Sequence, residues 1–286
     1  MIKAAGRGKK YTVLKALMEP VMRVAYCNDW PARILNLVYR NFCPRIIRQK
    51  MYNKLNTAGK HPLKIVFVSD LHIGPTTSTR LLETTFRKIA DEKPDMLLLG
   101  GDYVFLDATA ERLTLLQSLV KKVDCSCVFA VLGNHDLWAD DRAVVEALRA
   151  AGVTVLVNET AAIKLCERVI EIIGLDDPHA GECSGELLSS DNKNAALRVA
   201  VCHSPEGLHH LTDIQFDIFL AGHTHGGQVA SPWGPLVVPH GHLCRRYSSG
   251  FDMHKSRLVF ISRGIGTVEF PLRMFAVPDF LVLEVT

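Results

Sequence analysis

The chain has no run of eighteen apolar residues free of charge, so no segment reads as a helix able to cross a bilayer. Near its start there is no compact apolar stretch followed by a small-residue cleavage site, and no twin-arginine pair. A standard secretory signal is therefore not visible. The 8 cysteines include no C-x-x-C pair and no regular spacing, which speaks against a disulfide framework. Reduced, mostly buried thiols of a cytosolic protein are the expectation. Internal repeats and low-complexity tracts are also missing.

What is present is a chain of 286 residues, 48% of them hydrophobic. That suffices for one large domain, or for one domain with an appendage. The net charge of +3 conceals a partition. Residues 1–60 carry thirteen Lys and Arg against two acids, Glu19 and Asp29, which leaves the remainder acidic. The expected division is a basic, mostly helical N-terminal extension (1–60) and a catalytic body (61–286).

Within the extension, Met18, Val21, Met22 and Ala25 recur at helical spacing, and Ile34 to Tyr39 form a second apolar stretch. Arg40, Arg45, Arg48 and Lys50 follow, and Pro20, Pro31 and Pro44 divide the segment. Tyr26, Trp30, Tyr39, Phe42 and Tyr52 add aromatics among the bases. Such a segment suits an anionic membrane surface. The competing expectation is a helical extension packed on the body. Nucleic acid is disfavoured, because the body is acidic and lacks an evident basic groove.

From Lys64 onward, short apolar runs alternate with helical patterns. Ile65–Val68, Met96–Leu99, Val128–Leu132 and Val153–Val157 read as strands. Leu82, Phe86 and Ile89, then Leu113, Leu116 and Val120, then Val144, Leu148 and Ala151 mark helices between them. This rhythm predicts a largely parallel sheet flanked by helices. The second half is richer in strands: 162–165, 169–174, 197–202, 216–221, 258–262 and 280–285, with one short helix near 205–211. Residues 176–196 read as a polar surface loop or flap.

Five short pieces carry ligand-type side chains to the ends of these runs: Asp70-Leu71-His72, Gly101-Asp102, Gly133-Asn134-His135-Asp136, His203 and Gly222-His223-Thr224-His225. In open parallel sheets, ligands gather beyond the carboxyl ends of strands, so one rim collects them all. Asp102 can bridge two cations. Asp70, His72 and His225 would complete one site, and Asn134, His203 and His223 the other. Oxygen and imidazole donors suit Mn²⁺, which is favoured, or Fe or Zn²⁺. Two metals would activate a shared hydroxide and clamp phosphoryl oxygens, a device for hydrolysing phosphate esters. His135 is placed to serve as general acid or charge stabiliser, with Asp136 able to orient it. Arg263 and Arg273 are candidates to bind substrate phosphate. His209, His210, His240 and His242 are expected to be non-ligands.

The five pieces together resemble the calcineurin-like metallophosphoesterase family over about residues 64–286. The resemblance implies an α/β fold, a four-layer α/β/β/α sandwich of two packed sheets flanked by helices, and the same ligand assignment. Gly222 to Val229, Ser262 to Thr267 and Pro271-Leu272-Arg273 are similar to a bacterial branch of small phosphohydrolases. That branch includes broad phosphodiesterases and an alternative UDP-2,3-diacylglucosamine pyrophosphatase of lipid A synthesis. The commoner enzyme for that step has Asn-Arg where this chain has Asn134-His135. The implied activity is cleavage of a phosphodiester or pyrophosphate through a metal-bridging hydroxide. UDP-2,3-diacylglucosamine is the specific expectation, giving UMP and lipid X in the cytoplasm, peripherally at the inner membrane. A broad phosphodiesterase for small nucleotides or phospholipids is the alternative. A metal-binding scaffold without catalysis would lack ligands that are all present here.

Overall fold

A computed structural model describes residues 13–38, 44–51, 62–165, 167–186, 188, 195–238 and 241–286. Tyr39, Arg40, Phe42, Cys43, Tyr52, Cys166, His240 and residues 189–194 of the polar loop lie outside the described residues. Helices α1 (Val13–Ala25) and α2 (Trp30–Val38) come first, followed by strands β1 (Arg45–Met51) and β2 (Leu63–Val68). Next come α3 (Thr79–Asp91), β3 (Met96–Leu99), α4 (Ala110–Lys121), β4 (Val128–Ala130), α5 (Asn134–Ala139), α6 (Asp141–Ala150) and β5 (Thr154–Val155). The second half holds β6 (Glu159–Leu165), β7 (Arg168–Gly174), β8 (Leu197–Val201), β9 (Ile218–Ala221), β10 (Ala230–Ser231) and β11 (Gly234–Pro235). It ends with α7 (His242–Arg246), β12 (Gly250–His254), β13 (Arg257–Ile261) and β14 (Asp279–Val285).

Two six-stranded sheets form, in the orders β1-β14-β2-β3-β4-β5 and β12-β13-β9-β8-β7-β6. The β2–β5 segment is parallel, and β14 runs antiparallel to β2. In the second sheet β7, β8, β9 and β13 are parallel, with antiparallel β6 and β12 at the edges. β2 shows why the strands read as continuous apolar runs. Its Ile65 and Phe67 pack toward Ile172, Val199, Leu220 and Phe260 of the second sheet. Its Val66 and Val68 pack toward Phe86, Leu116 and Leu148 of the helices. A strand buried on both faces cannot alternate apolar with polar.

Helices α3, α4 and α6 cover the outer face of the first sheet. A thinner layer covers the second: the 3-10 helix Pro205–His210 and α7, through Leu208, Leu243 and Tyr247. The layer order is the expected α/β/β/α.

Three details differ from the sequence reading. Arg45–Met51, which falls within the expected helical extension, is the edge strand β1, pairing in parallel with β14. Its Ile46 and Ile47 pack against the two cores, while Arg45, Arg48 and Lys50 are exposed, a charged edge that discourages further pairing. Of the four apolar positions of α1, Met22 is buried, whereas Met18, Val21 and Ala25 are exposed. Among the described cysteines only Cys202 and Cys244 are buried; Cys27 is exposed.

The first two helices dock on the body by specific bonds. The Ala32 N–H donates to the Pro75 carbonyl at 2.8 Å, and the Tyr26 hydroxyl donates to the Glu269 carbonyl at 2.6 Å. Arg23 reaches Asp107 at 2.8 Å. Among the described residues, no helix is long and apolar enough to cross a membrane. Phe67 is fully buried between the sheets. Phe67→Ala should destabilise the fold by about 3–5 kcal/mol, read as a lower urea midpoint.

Candidate active site

The ligand-type residues lie within four residues of the carboxyl ends of β2, β3, β4, β8 and β9, so both sheets contribute. Five of them have left-handed backbone: Asp70 (φ 54°), His72 (44°), Asp102 (56°), His223 (70°) and His225 (51°). Such geometry costs energy in a non-glycine residue and persists only where the surroundings enforce it. Here the enforcement is visible. The Asp70 N–H donates to the Gly101 carbonyl at 2.9 Å, and the His72 N–H to the Asp102 carbonyl at 3.0 Å. The His223 N–H, from the other sheet, donates to Asp70 Oδ1 at 3.0 Å. Glycine is required at two close approaches. A Cβ on Gly133 would lie 2.2 Å from Asp102 Oδ1, and one on Gly222 would lie 2.2 Å from Asp70 Oδ2.

Besides His72, Asp102 and His135, and His179, His223 and Cys244, two clusters among the described residues have ligand atoms within 4.8 Å of one another: Asp70, His72 and His225, and Asp102, His203 and His223. Asp102 joins them, its Oδ2 lying 3.5 Å from His72 Nε2 and 3.1 Å from His203 Nε2. His72 Nε2 and His225 Nε2 are 3.1 Å apart, and His223 Nδ1 is 3.2 Å from His203 Nε2. His203 Nδ1 lies 2.8 Å from the Gly100 carbonyl, which fixes an N–H there and turns Nε2 toward Asp102, where it would ligate a cation once its own proton is lost. Asn134 Oδ1 is buried and has no hydrogen-bond partner. A buried amide oxygen without a donor is costly, and a cation would satisfy it. The donor set therefore fits a pair of divalent ions of the Mn²⁺, Fe or Zn²⁺ type.

The electrostatics of the protein groups point the same way. Burial pushes the Asp70 carboxyl up to about 6, against the pull of His203. Burial also opposes ionisation of Asp102, yet His203, His135 and His72 together hold its carboxyl well below the usual range. Burial disfavours a charge on His203, but Asp102 outweighs it and lifts the imidazole well above its ordinary value. These are carboxylates and imidazoles compensating one another where a cation would do so directly.

His135 sits at the start of α5, half-buried. Its N–H donates to Asp102 Oδ1 at 2.8 Å, and its ring lies 4.9 Å from the His72 ring, edge to face. Asp136 does not orient the His135 ring. Its carboxylate accepts the N–H groups of Asp102 (2.8 Å), Gly133 (3.0 Å) and Tyr103 (2.8 Å), and so ties the β3 turn to the β4 turn. Arg263 pairs with buried Asp279 at 2.8 Å. The Arg273 guanidinium donates to the carbonyls of Gly266 (3.0 Å) and Ala276 (3.1 Å) and lies 3.0 Å from His225 Nδ1. Both arginines, expected to meet substrate phosphate, are thus engaged with the protein. His209 pairs with Glu206 at 3.2 Å, and His242 is exposed on α7.

The sequence reading missed His179. Its ring stacks on His223 with centroids 4.4 Å apart, and its Nε2 is 2.8 Å from Ser204 Oγ. The segment that carries it reads as a surface loop by composition, yet Asp176 and Asp177 are buried. Asp177 accepts the N–H groups of His179 and Ala180, and burial pushes its carboxyl up to about 7. A signal is present in the sequence: Asp-Asp-Pro-His follows the end of β7, on the same rim as the other pieces.

This site, at the junction of two sheets, has its counterpart in known proteins. The chain belongs to the calcineurin-like phosphoesterase family, whose model matches residues 63–227. It is a phosphate ester hydrolase of the kind that works through a dinuclear metal centre. It is 31% identical to phosphodiesterase YaeI of Escherichia coli (strain K12) over 259 residues, covering 86% of this chain and 91% of that one. It is 27% identical to the UDP-2,3-diacylglucosamine pyrophosphatase LpxG of Chlamydia trachomatis over 299 residues, covering 82% and 88%. A solved 5'-nucleotidase precursor from Thermus thermophilus shares the fold, with a TM-score of 0.50 at 15% identity. That likeness covers 78% of this chain and 55% of the larger one.

Metal loading requires Asp70 and His203 to give up protons, so apparent Mn²⁺ affinity should rise with pH through about 6 and continue to rise above it. Calorimetric titration across that range checks this, and an affinity flat with pH would contradict it. Asn134→Ala should lower the bound metal measured by elemental analysis after dialysis.

Proposed function

We propose that the chain hydrolyses a phosphodiester or pyrophosphate bond with two divalent ions, Mn²⁺ favoured. Asp70, His72 and His225 hold one, and Asn134, His203 and His223 the other. The observation that carries this reading is Asp102, whose single oxygen Oδ2 faces His72 of one cluster and His203 of the other. When bound, such a pair supplies an activated water at neutral pH and the positive charge that clamps phosphoryl oxygens. The chain supplies the rest. Asp102 fixes His135 through its backbone N–H. The half-exposed His135 ring, beside His72, donates a proton to the departing oxygen. Asp136 keeps the two turns in register, which holds Asp102 and His135 together.

The specific substrate we propose is UDP-2,3-diacylglucosamine. Water adds across its pyrophosphate bond, giving UMP and lipid X. Two features support it: the similarity to LpxG along 82% of the chain, and apolar side chains exposed on the loops that follow Gly227 and Thr267. Trp233 is 93% exposed, and Leu236, Val237, Phe270 and Phe275 are exposed beside it in sequence or on the neighbouring loop. The two loops are joined by the Ala230 N–H to the Met274 carbonyl at 2.8 Å. Such a rim suits an amphiphile at the cytoplasmic face of a membrane, where the basic residues 1–60 would meet anionic headgroups. A broad phosphodiesterase is the second reading, supported by the higher identity to YaeI.

The test uses metal-stripped protein with Mn²⁺ restored, UDP-2,3-diacylglucosamine as substrate and bis(p-nitrophenyl) phosphate as control. Release of UMP is the expected result. Cleavage of the control alone would move the assignment to the broad phosphodiesterase. His135→Ala should lower turnover about 10²–10⁴-fold with metal content unchanged. Full activity in that variant would remove His135 from the mechanism.

A further inference from the structure

A cleft opens between α2, the start of α3 and the stretch 265–278. Leu35, Leu81, Ile265, Pro271 and Pro278 give it an apolar lining. Its polar neighbours are turned to one another. The Thr76 hydroxyl donates to the Thr267 carbonyl, and the Thr267 hydroxyl to the Thr76 carbonyl, each at 2.7 Å. Thr77 Oγ1 accepts the Thr267 N–H at 3.1 Å, and the Ser78 hydroxyl donates to Asn36 Oδ1 at 2.6 Å. Arg273 is held by the Gly266 and Ala276 carbonyls. With these groups paired, the cleft offers an incoming ligand hydrocarbon contact and little hydrogen bonding.

Its inner wall backs onto the reaction site. Arg273 lies 3.0 Å from His225 Nδ1, and the Gly266 N–H donates to the Asp70 carbonyl at 2.7 Å. Its outer side adjoins exposed Phe270 and Leu272. A chain lying in the cleft would touch Arg273, the neighbour of His225, and Pro271, which lies between exposed Phe270 and Leu272. We infer that this cleft is an acyl-chain site, holding the hydrocarbon tail of an amphiphilic phosphate whose headgroup reacts at the carboxylate–imidazole cluster. The inference rests on the reading of the site as a hydrolase for such substrates. It also gives α2 a direct role, since Leu35 makes one wall.

The test is calorimetric binding of n-alkyl phosphates, ethyl to dodecyl and below their aggregation limits, to the full chain loaded with Mn²⁺. Each buried methylene is worth about 0.8 kcal/mol, which is about fourfold in Kd. The expected result is a Kd that falls at least about a hundredfold from ethyl to octyl and then levels off as the cleft fills. Leu35→Trp and Leu81→Trp, each placing a ring in the cleft, should reduce the ethyl-to-octyl ratio to within about fivefold, with unfolding midpoints showing that both variants fold. A Kd independent of chain length overturns the inference. So does a ratio that survives both variants, or one that is lost in Phe270→Ser instead, which would put the tail on the open rim. UDP-2,3-diacylglucosamine left intact while the alkyl series behaves as expected would reject that headgroup and leave the acyl site standing.

Discussion

The structure depends on three buried carboxylates that bind backbone N–H groups from loops distant in sequence. Asp70 accepts His223 N–H across the two sheets, Asp102 accepts His135 N–H, and Asp136 accepts those of Asp102, Tyr103 and Gly133. Each carboxylate is costly to bury alone. Each also holds in place a turn whose left-handed residues would relax without it. The strain, the burial and the ligand geometry are thus one feature. Removing a carboxylate would free the turn beside it.

The same constraint explains why the site lies where it does. The sheets pack face to face through Phe67, Leu98, Leu220 and Phe260, and their carboxyl edges meet at one end. Only there can loops from β2, β3 and β4 face loops from β8 and β9. Gly133 and Gly222 are the places where side chains would keep them apart. Helices α3, α4 and α6 cover the outer face of the first sheet and carry none of the candidate ligands. The first two helices are docked on the body through Arg23 to Asp107, Tyr26 to Glu269 and Ala32 to Pro75.

Much of this was legible from residue order. Doubly buried strands of the α/β half read as apolar runs, and α3, α4 and α6 as helical periods, because burial on two faces or one stripe leaves those patterns directly. Several elements did not announce themselves, β1, α5 and β12 among them. β1 has consecutive isoleucines flanked by bases, since an edge strand faces solvent along one side. α5, Asn-His-Asp-Leu-Trp-Ala, is too short for a helical period to show. β12 has exposed Asp252 and Met253 and owes its conformation to pairing with β13.

By itself, the sequence determined the ligand types, their order and their places after strands, because a donor atom is a property of its residue and a strand end is a local pattern. It determined the basic front and acidic body for the same reason. The tertiary structure decided which donors share a cluster, since Asp70 and His225 meet only through the packing of two sheets. It decided that Asp136 serves backbone rather than His135, that Arg263 and Arg273 face protein carboxylate and carbonyl groups, and that His179 stacks on His223. Those outcomes depend on distances between atoms far apart along the chain, which no spacing in the sequence encodes.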